Sequence, residues 1–350
     1  MTDTTDDKSV QNQQAQDEQP DFVTTALKTH RYLRLSFVFA VAALFIGVII
    51  ASVVGGYVKG SISYYYWTPA RNVFVGVLIA ASLAMLALNG RGGAAEIPLG
   101  QRTLKLPSPS TLLDFAAIFG PLIAIVPTDV KASEQGLTTF TCEGTEQSCL
   151  PKAALPDVQN AVLTYILILV VIVVVMMIVQ RKEKRQRFAF LVPVTAAVTA
   201  VALFFFTFVS NDAFPYFRVG PSSFSIHYIA TFLFFAAFAT VVWIRGIRDN
   251  DPEDRTPAGD TQRLWYKILA IAMAADIVFL VGLAVVAQFE VEDAIPGFPE
   301  VLLGEAVGLT LFAVFWAIQT AQRWNERIAL LPKKGTAGAA VLSRDLTPAA

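Results

Sequence analysis

Three acidic side chains stand in strongly apolar company: Asp114, Asp276 and Glu305. Inside hydrocarbon an ionisable group is costly, so each is a functional candidate by default. Asp276 suits a proton or cation path, or a protonated carboxyl bonded to a neighbouring helix. Asp114 lies near enough to a boundary to be solvated or to pair with Arg102 or Lys105. Glu305 shares its depth with Ser61, Ser63, Arg71, Asn72, Thr128 and His227. An Arg, a Glu and a His at one level make either a salt-bridged cap or a pocket for a small anion, in which Arg71 grips phosphate or carboxylate as a fork. The pocket requires Arg71 to come within about 3 Å of Glu305 or of a bound anion. A buried His227 would make it pH-sensitive. Ser61 or Ser63 with His227 allows a different chemistry, nucleophilic hydrolysis. The only histidines are His30 and His227, too few for a zinc site of three or four protein ligands. No metal or cofactor site is expected.

These residues need elements to hold them. The chain is 55% hydrophobic and 16% charged over 350 residues, where a soluble domain carries about 25% charge. Its apolar residues come in blocks, at about 35–54, 72–88, 111–127, 161–180, 188–209, 226–244, 264–288 and 301–322. Blocks of this length predict an all-α bundle of about eight transmembrane helices. The third is the shortest and carries Pro121, which predicts a kinked or shallow helix. If the N-terminus is cytoplasmic, every Lys and Arg except Lys59, Arg71, Lys131, Lys152 and Arg218 falls on the cytoplasmic side, as the retention of basic residues there requires. Both termini are then cytoplasmic, with tails over 1–30 and 326–350 expected to be disordered and one bundle domain over 31–325. The long loop 128–158 lies outside. Cys142 and Cys149 both fall in it, and a pair seven apart in an oxidising compartment is expected to close a small disulfide loop, with two free thiols the alternative.

Small residues mark close helix contacts: Gly76, Ala80 and Ala84 in the second block, Gly304 and Gly308 in the eighth. Such spacing serves internal packing or homodimerisation. The fourth block has no polar side chain between Ile166 and Val179 and is expected to face lipid all round. The aromatic run Tyr64-Tyr65-Tyr66-Trp67 reads as an interfacial anchoring belt. Net charge is −1, which gives no basic field for nucleic acid; the expected partner is membrane lipid.

The segments SISYYYWTPARNVFVG, LLDFAAIFGPLIAIVPT, SIHYIATFLFF and GEAVGLTLFAVFW resemble an uncharacterised family of bacterial multi-pass membrane proteins. The matching positions are Ser61, Ser63, Tyr64, Tyr65, Arg71, Phe74, Gly76, Pro127, Thr128, His227 and Glu305. This chain has Asn72 where the family pattern has Asp. More distantly, the serine segment and the helix-opening histidine are similar to DRAM-like (Frag-type) proteins and to alkaline ceramidase-type hydrolases. Those use a Ser, an Asp and several His around zinc, a set this chain lacks. The resemblance implies the cell membrane, the inner membrane of a bacterium. The first functional expectation is a protein that binds or senses a lipid headgroup or small anion. The alternatives are a hydrolase using Ser61 or Ser63 with His227, and a transporter or proton pathway through Asp276.

Overall fold

The computed structural model describes residues 5–88, 95–99, 102–131, 148–180, 188, 190–209, 214–219, 222–247, 258–288 and 299–324. Among the described residues, eight α-helices carry the architecture: α1 (Thr5–Val53), α2 (Arg71–Ala87), α3 (Pro109–Ile125), α4 (Leu155–Gln180), α5 (Leu191–Phe204), α6 (Ile226–Ile247), α7 (Asp260–Gln288) and α8 (Glu300–Gln322). Six of them contain a stretch long and apolar enough to cross a membrane, that of α1 being Lys28–Val53; α2 and α3, at 17 residues each, are shorter. The chain is therefore a multi-pass membrane protein by the length and composition of its helices.

Neighbouring helices trace a ring, α1–α2–α3–α6–α7–α8, with α8 returning to α1; the α4–α5 hairpin lies outside it against α3. The ring is filled by aromatic side chains. Phe37 stacks on Trp316 at 4.3 Å, and Phe238 meets Phe312 at 4.6 Å and Phe315 at 5.1 Å. Helices meet closely where side chains are small. A Cβ on Gly120 would lie 2.0 Å from Ser82 Oγ, so α3 and α2 approach closely there.

Several expectations need correction. Residues 1–30 were expected to be a disordered tail, but α1 begins at Thr5. The stretch 5–27 contains no glycine, and the helix runs through it despite Pro20, which removes one backbone donor. The third helix is short but central: α3 buries nearly its whole length, touching α2, α4, α5 and α6. The fourth does not face lipid all round. Its first half buries Val158, Val162, Tyr165 and Leu169, and the Tyr165 hydroxyl donates to the Ile118 carbonyl on α3. The all-α architecture stands, with short antiparallel strands in its connections: β1 (Ala95–Leu99) with β2 (Arg102–Leu106), β3 (Val130–Lys131) with β4 (Ser148–Cys149), and β5 (Tyr216–Val219) with β6 (Ser222–Ser225). They close connections between helices.

Cys142 lies outside the described residues, and Cys149 pairs with Val130 in β4. No disulfide occurs among the described residues, so the Cys142–Cys149 bridge has no structural support. The C-terminal tail 326–350 also lies outside them.

Candidate functional site

The site gathers at the end of the bundle where α1 and α3 finish and α2, α6 and α8 begin. Helix α1 stops at Val53 because Gly55 and Gly56 follow. Gly56 has φ +73°, a left-handed conformation that costs glycine little and other residues more. The chain then folds back as a 3-10 turn, Ser63–Trp67, all five residues of which are buried. Tyr64–Trp67 therefore do not form an anchoring belt in the lipid interface; they plug the end of the bundle.

Each plug residue ties to a different neighbour. Tyr64 bonds to Tyr228 of α6. Tyr65 bonds through its hydroxyl to Ser52 of α1. Tyr66 accepts from Arg71 Nη2 of α2 at 2.7 Å. Trp67 Nε1 donates to the Thr128 carbonyl, beyond α3, at 2.8 Å. At the neighbouring Gly60, the carbonyl accepts the Leu302 amide of α8 at 2.8 Å. Lys59 is buried at 2% exposure in the same segment. Sequence reasoning missed it, having counted it only as a charge for topology.

Glu305 anchors the segment from α8. Its Oε2 accepts the Ser61 hydroxyl at 2.8 Å, the Ser63 amide at 3.4 Å, and the Ile62 amide. Its Oε1 lies 2.7 Å from Ser63 Oγ. Ser63 Oγ is also 3.0 Å from His227 Nε2, and His227 Nδ1 lies 2.8 Å from the Val126 carbonyl at the end of α3. Four of the residues expected together are thus joined: Ser61, Ser63, His227 and Glu305.

The other three do not join them. Arg71 makes no ion pair with Glu305; its guanidinium lies over the Tyr66 ring, 4.4 Å from the centroid. Helix start and helix depth can be read from sequence, but the direction a side chain takes around its helix was settled by the plug. Burial pushes the Tyr66 phenol above its ordinary pKa, with Arg71 pulling it down less strongly. Asn72 is exposed beside Arg71. Thr128 takes part through its carbonyl, and its buried Oγ1 has no hydrogen-bond partner among the described residues. Next to it, Asp129 Oδ1 accepts the Tyr216 hydroxyl at 2.5 Å.

Asp276 stands apart, half-buried on α7 against Gly308, where an added Cβ would lie 2.9 Å from Oδ2. Asp114 is buried rather than solvated. Gly304 and Gly308 are used within the chain, against Leu280 and Asp276 of α7, while Gly76 faces open space. Among the described residues no group of three or more His, Cys, Asp or Glu converges as metal ligands would.

Comparison with known proteins adds no relative: no protein-family model matches this chain, and neither a curated protein nor a solved structure is significantly similar to it.

Proposed function

We propose that this membrane protein binds an anionic headgroup at the corner where α2 begins. The observation that supports this is the state of Arg71. One of its five N–H donors goes to Tyr66, and no ion pair engages it among the described residues. A guanidinium held flat on an aromatic ring keeps the rest of its fork for phosphate. The helix end adds to it. No side chain caps α2, its first turn has no acidic residue, and its first helical bond is Phe74 N–H to the Ala70 carbonyl. The amides of Asn72 and Val73 precede that bond, and helix N-termini attract anions.

The proposal includes the threading. Helices α2 and α3 are taken to cross as well, since 17 residues rise about 26 Å against roughly 30 Å of hydrocarbon. That gives eight spans with both ends cytoplasmic, as the distribution of Lys and Arg favours. The site then faces outward. A bacterial inner membrane follows only from the family resemblance. If the chain self-associates, the open Gly76–Ala80 face of α2 is the surface left for it.

The test is lipid retention by purified protein in nanodiscs. Native mass spectrometry should find phosphatidylglycerol held in preference to phosphatidylcholine, and Arg71→Ala should abolish the preference. Equal retention by both proteins sinks the reading.

One distance favours hydrolysis as a second reading. Ser63 Oγ and His227 Nε2 are in hydrogen-bond contact, with the imidazole oriented by a carbonyl, the arrangement of an activated nucleophile. Against it, Ser63 is buried and its oxygen is shared with Glu305. Labelling by a fluorophosphonate, lost in Ser63→Ala, would favour this reading; unlabelled protein removes it.

A further inference from the structure

We propose that Ser63, Glu305 and His227 form a binding site for one proton, and that this proton latches the 55–70 segment into the bundle. The inference is independent of headgroup binding at Arg71.

Hydrogen counting carries it. A carbonyl oxygen only accepts, so His227 Nδ1, 2.8 Å from the Val126 carbonyl, carries a hydrogen. Glu305 Oε2 receives an amide and the Ser61 hydroxyl, so it carries none. Three atoms remain in a row: Nε2 of His227, Oγ of Ser63 and Oε1 of Glu305, separated by 3.0 and 2.7 Å. Two contacts need two hydrogens, and serine brings one.

An ionised glutamate and a neutral histidine bring no other. One of the two contacts would then set lone pairs against each other in a buried place, where an unmade hydrogen bond is costly. A single added proton completes both. It sits on Nε2, with serine donating to the carboxylate, or on Oε1, with serine donating to the imidazole. The two forms interconvert by shifting hydrogens along the row and carry the same net charge. A second added proton would leave the serine hydrogen with no acceptor in the row and bury a positive charge.

Other ionisable groups stand at this end. Lys59 is buried in the same segment and Arg71 of α2 is held by Tyr66. Asp129 beyond α3 takes Tyr216, and Tyr228 of α6 bonds to Tyr64. Asp276 of α7 contacts Gly308, one turn along α8 from Glu305. Ser63 joins α8, α6 and the plug.

The sign follows from linkage. Above about pH 6.5 an unfolded chain holds its Glu ionised and its His neutral, so the latched fold binds one proton more than the unfolded chain. Its stability therefore falls as pH rises, by up to about tenfold in the folding equilibrium per pH unit.

Glu305→Gln separates this site from every other titration. The amide oxygen replaces Oε2 as acceptor, and the amide nitrogen donates to Ser63, which donates to neutral His227. The row is complete without a titrating proton. Thermal unfolding of the full-length protein in detergent, from pH 6.5 to pH 9, should find Glu305→Gln close to wild type at pH 6.5. The wild-type midpoint should then fall relative to the variant by up to about 2 °C per pH unit. Ser63→Ala breaks the row and should lower stability while removing the same slope. A wild-type slope retained in either folded variant, or no difference between wild type and Glu305→Gln across this range, overturns the proposal.

Discussion

Gly308 of α8 gives the Asp276 carboxyl of α7 its room. A Cβ at 308 would lie 2.9 Å from Oδ2 and 3.6 Å from Phe235. The expected outcome for Gly308→Val is a loss of about 1–3 kcal/mol, the usual cost of overpacking. Thermal unfolding in detergent checks it. Removing the obstructing carboxyl with Asp276→Ala should recover part of the loss. If the two changes simply add, the contact is not steric.

Gly120 and Ser82 make a sharper case. The Ser82 hydroxyl donates to the Leu78 carbonyl at 2.8 Å and stands 2.0 Å from where a Gly120 Cβ would be. Gly120→Ala must therefore move the hydroxyl or part α2 from α3, at a cost of about 1–3 kcal/mol. In a Ser82→Ala background the nearest side-chain atom of residue 82 is the Cβ, at 3.3 Å, and the substitution should cost much less. Gly76→Ala, with nothing within 4 Å, is the control: it should not lower the unfolding midpoint, and the better helix propensity of Ala should raise it slightly.

These two glycines show where sequence reading succeeds and where it stops. Apolar blocks located the helices, because burial in hydrocarbon demands length. Glu305 stood out as an acidic group in apolar company with Ser63 and His227 at its depth, and the fold joins the three. Depth along a helix is readable from residue count; rotation about the axis is not. That is why Arg71 was expected beside Glu305 and instead lies on Tyr66. It is also why Gly76 was expected in a contact it does not make, while Gly120 passed unnoticed. Lys59 and the Trp67–Thr128 bond depend on a fold-back with no periodic signal.

Trp67→Phe keeps the ring's bulk and removes the Nε1 donor to the Thr128 carbonyl. A buried acceptor left unpaired costs about 1–3 kcal/mol. The protein should remain folded with a lower midpoint, and cleavage within the 55–70 segment by added protease should quicken. Unchanged protease resistance would separate this bond from the seating of the plug.

Alkaline titration tests the burial of two phenols. Burial holds the Tyr66 and Tyr216 hydroxyls above the ordinary tyrosine range, and Asp129 beside Tyr216 adds to the second. Both fold more favourably protonated, so their contribution is complete below about pH 10 and is lost as pH rises through their folded values. Absorbance at alkaline pH should find exposed tyrosines ionising first. Tyr66→Phe should delete one late-ionising group and leave the early ones unchanged.

Because α8 closes the ring against α1, the plug is made early and seated late. The ribosome releases Ser63 and the aromatic turn long before His227 exists, and Glu305 follows only near the end of synthesis. Until then these residues wait at the membrane without the partners that hold them in the finished protein. A chain stopped ahead of α8 would lack Glu305 and leave the Ser61–Ser63 turn without the carboxylate that accepts its donors.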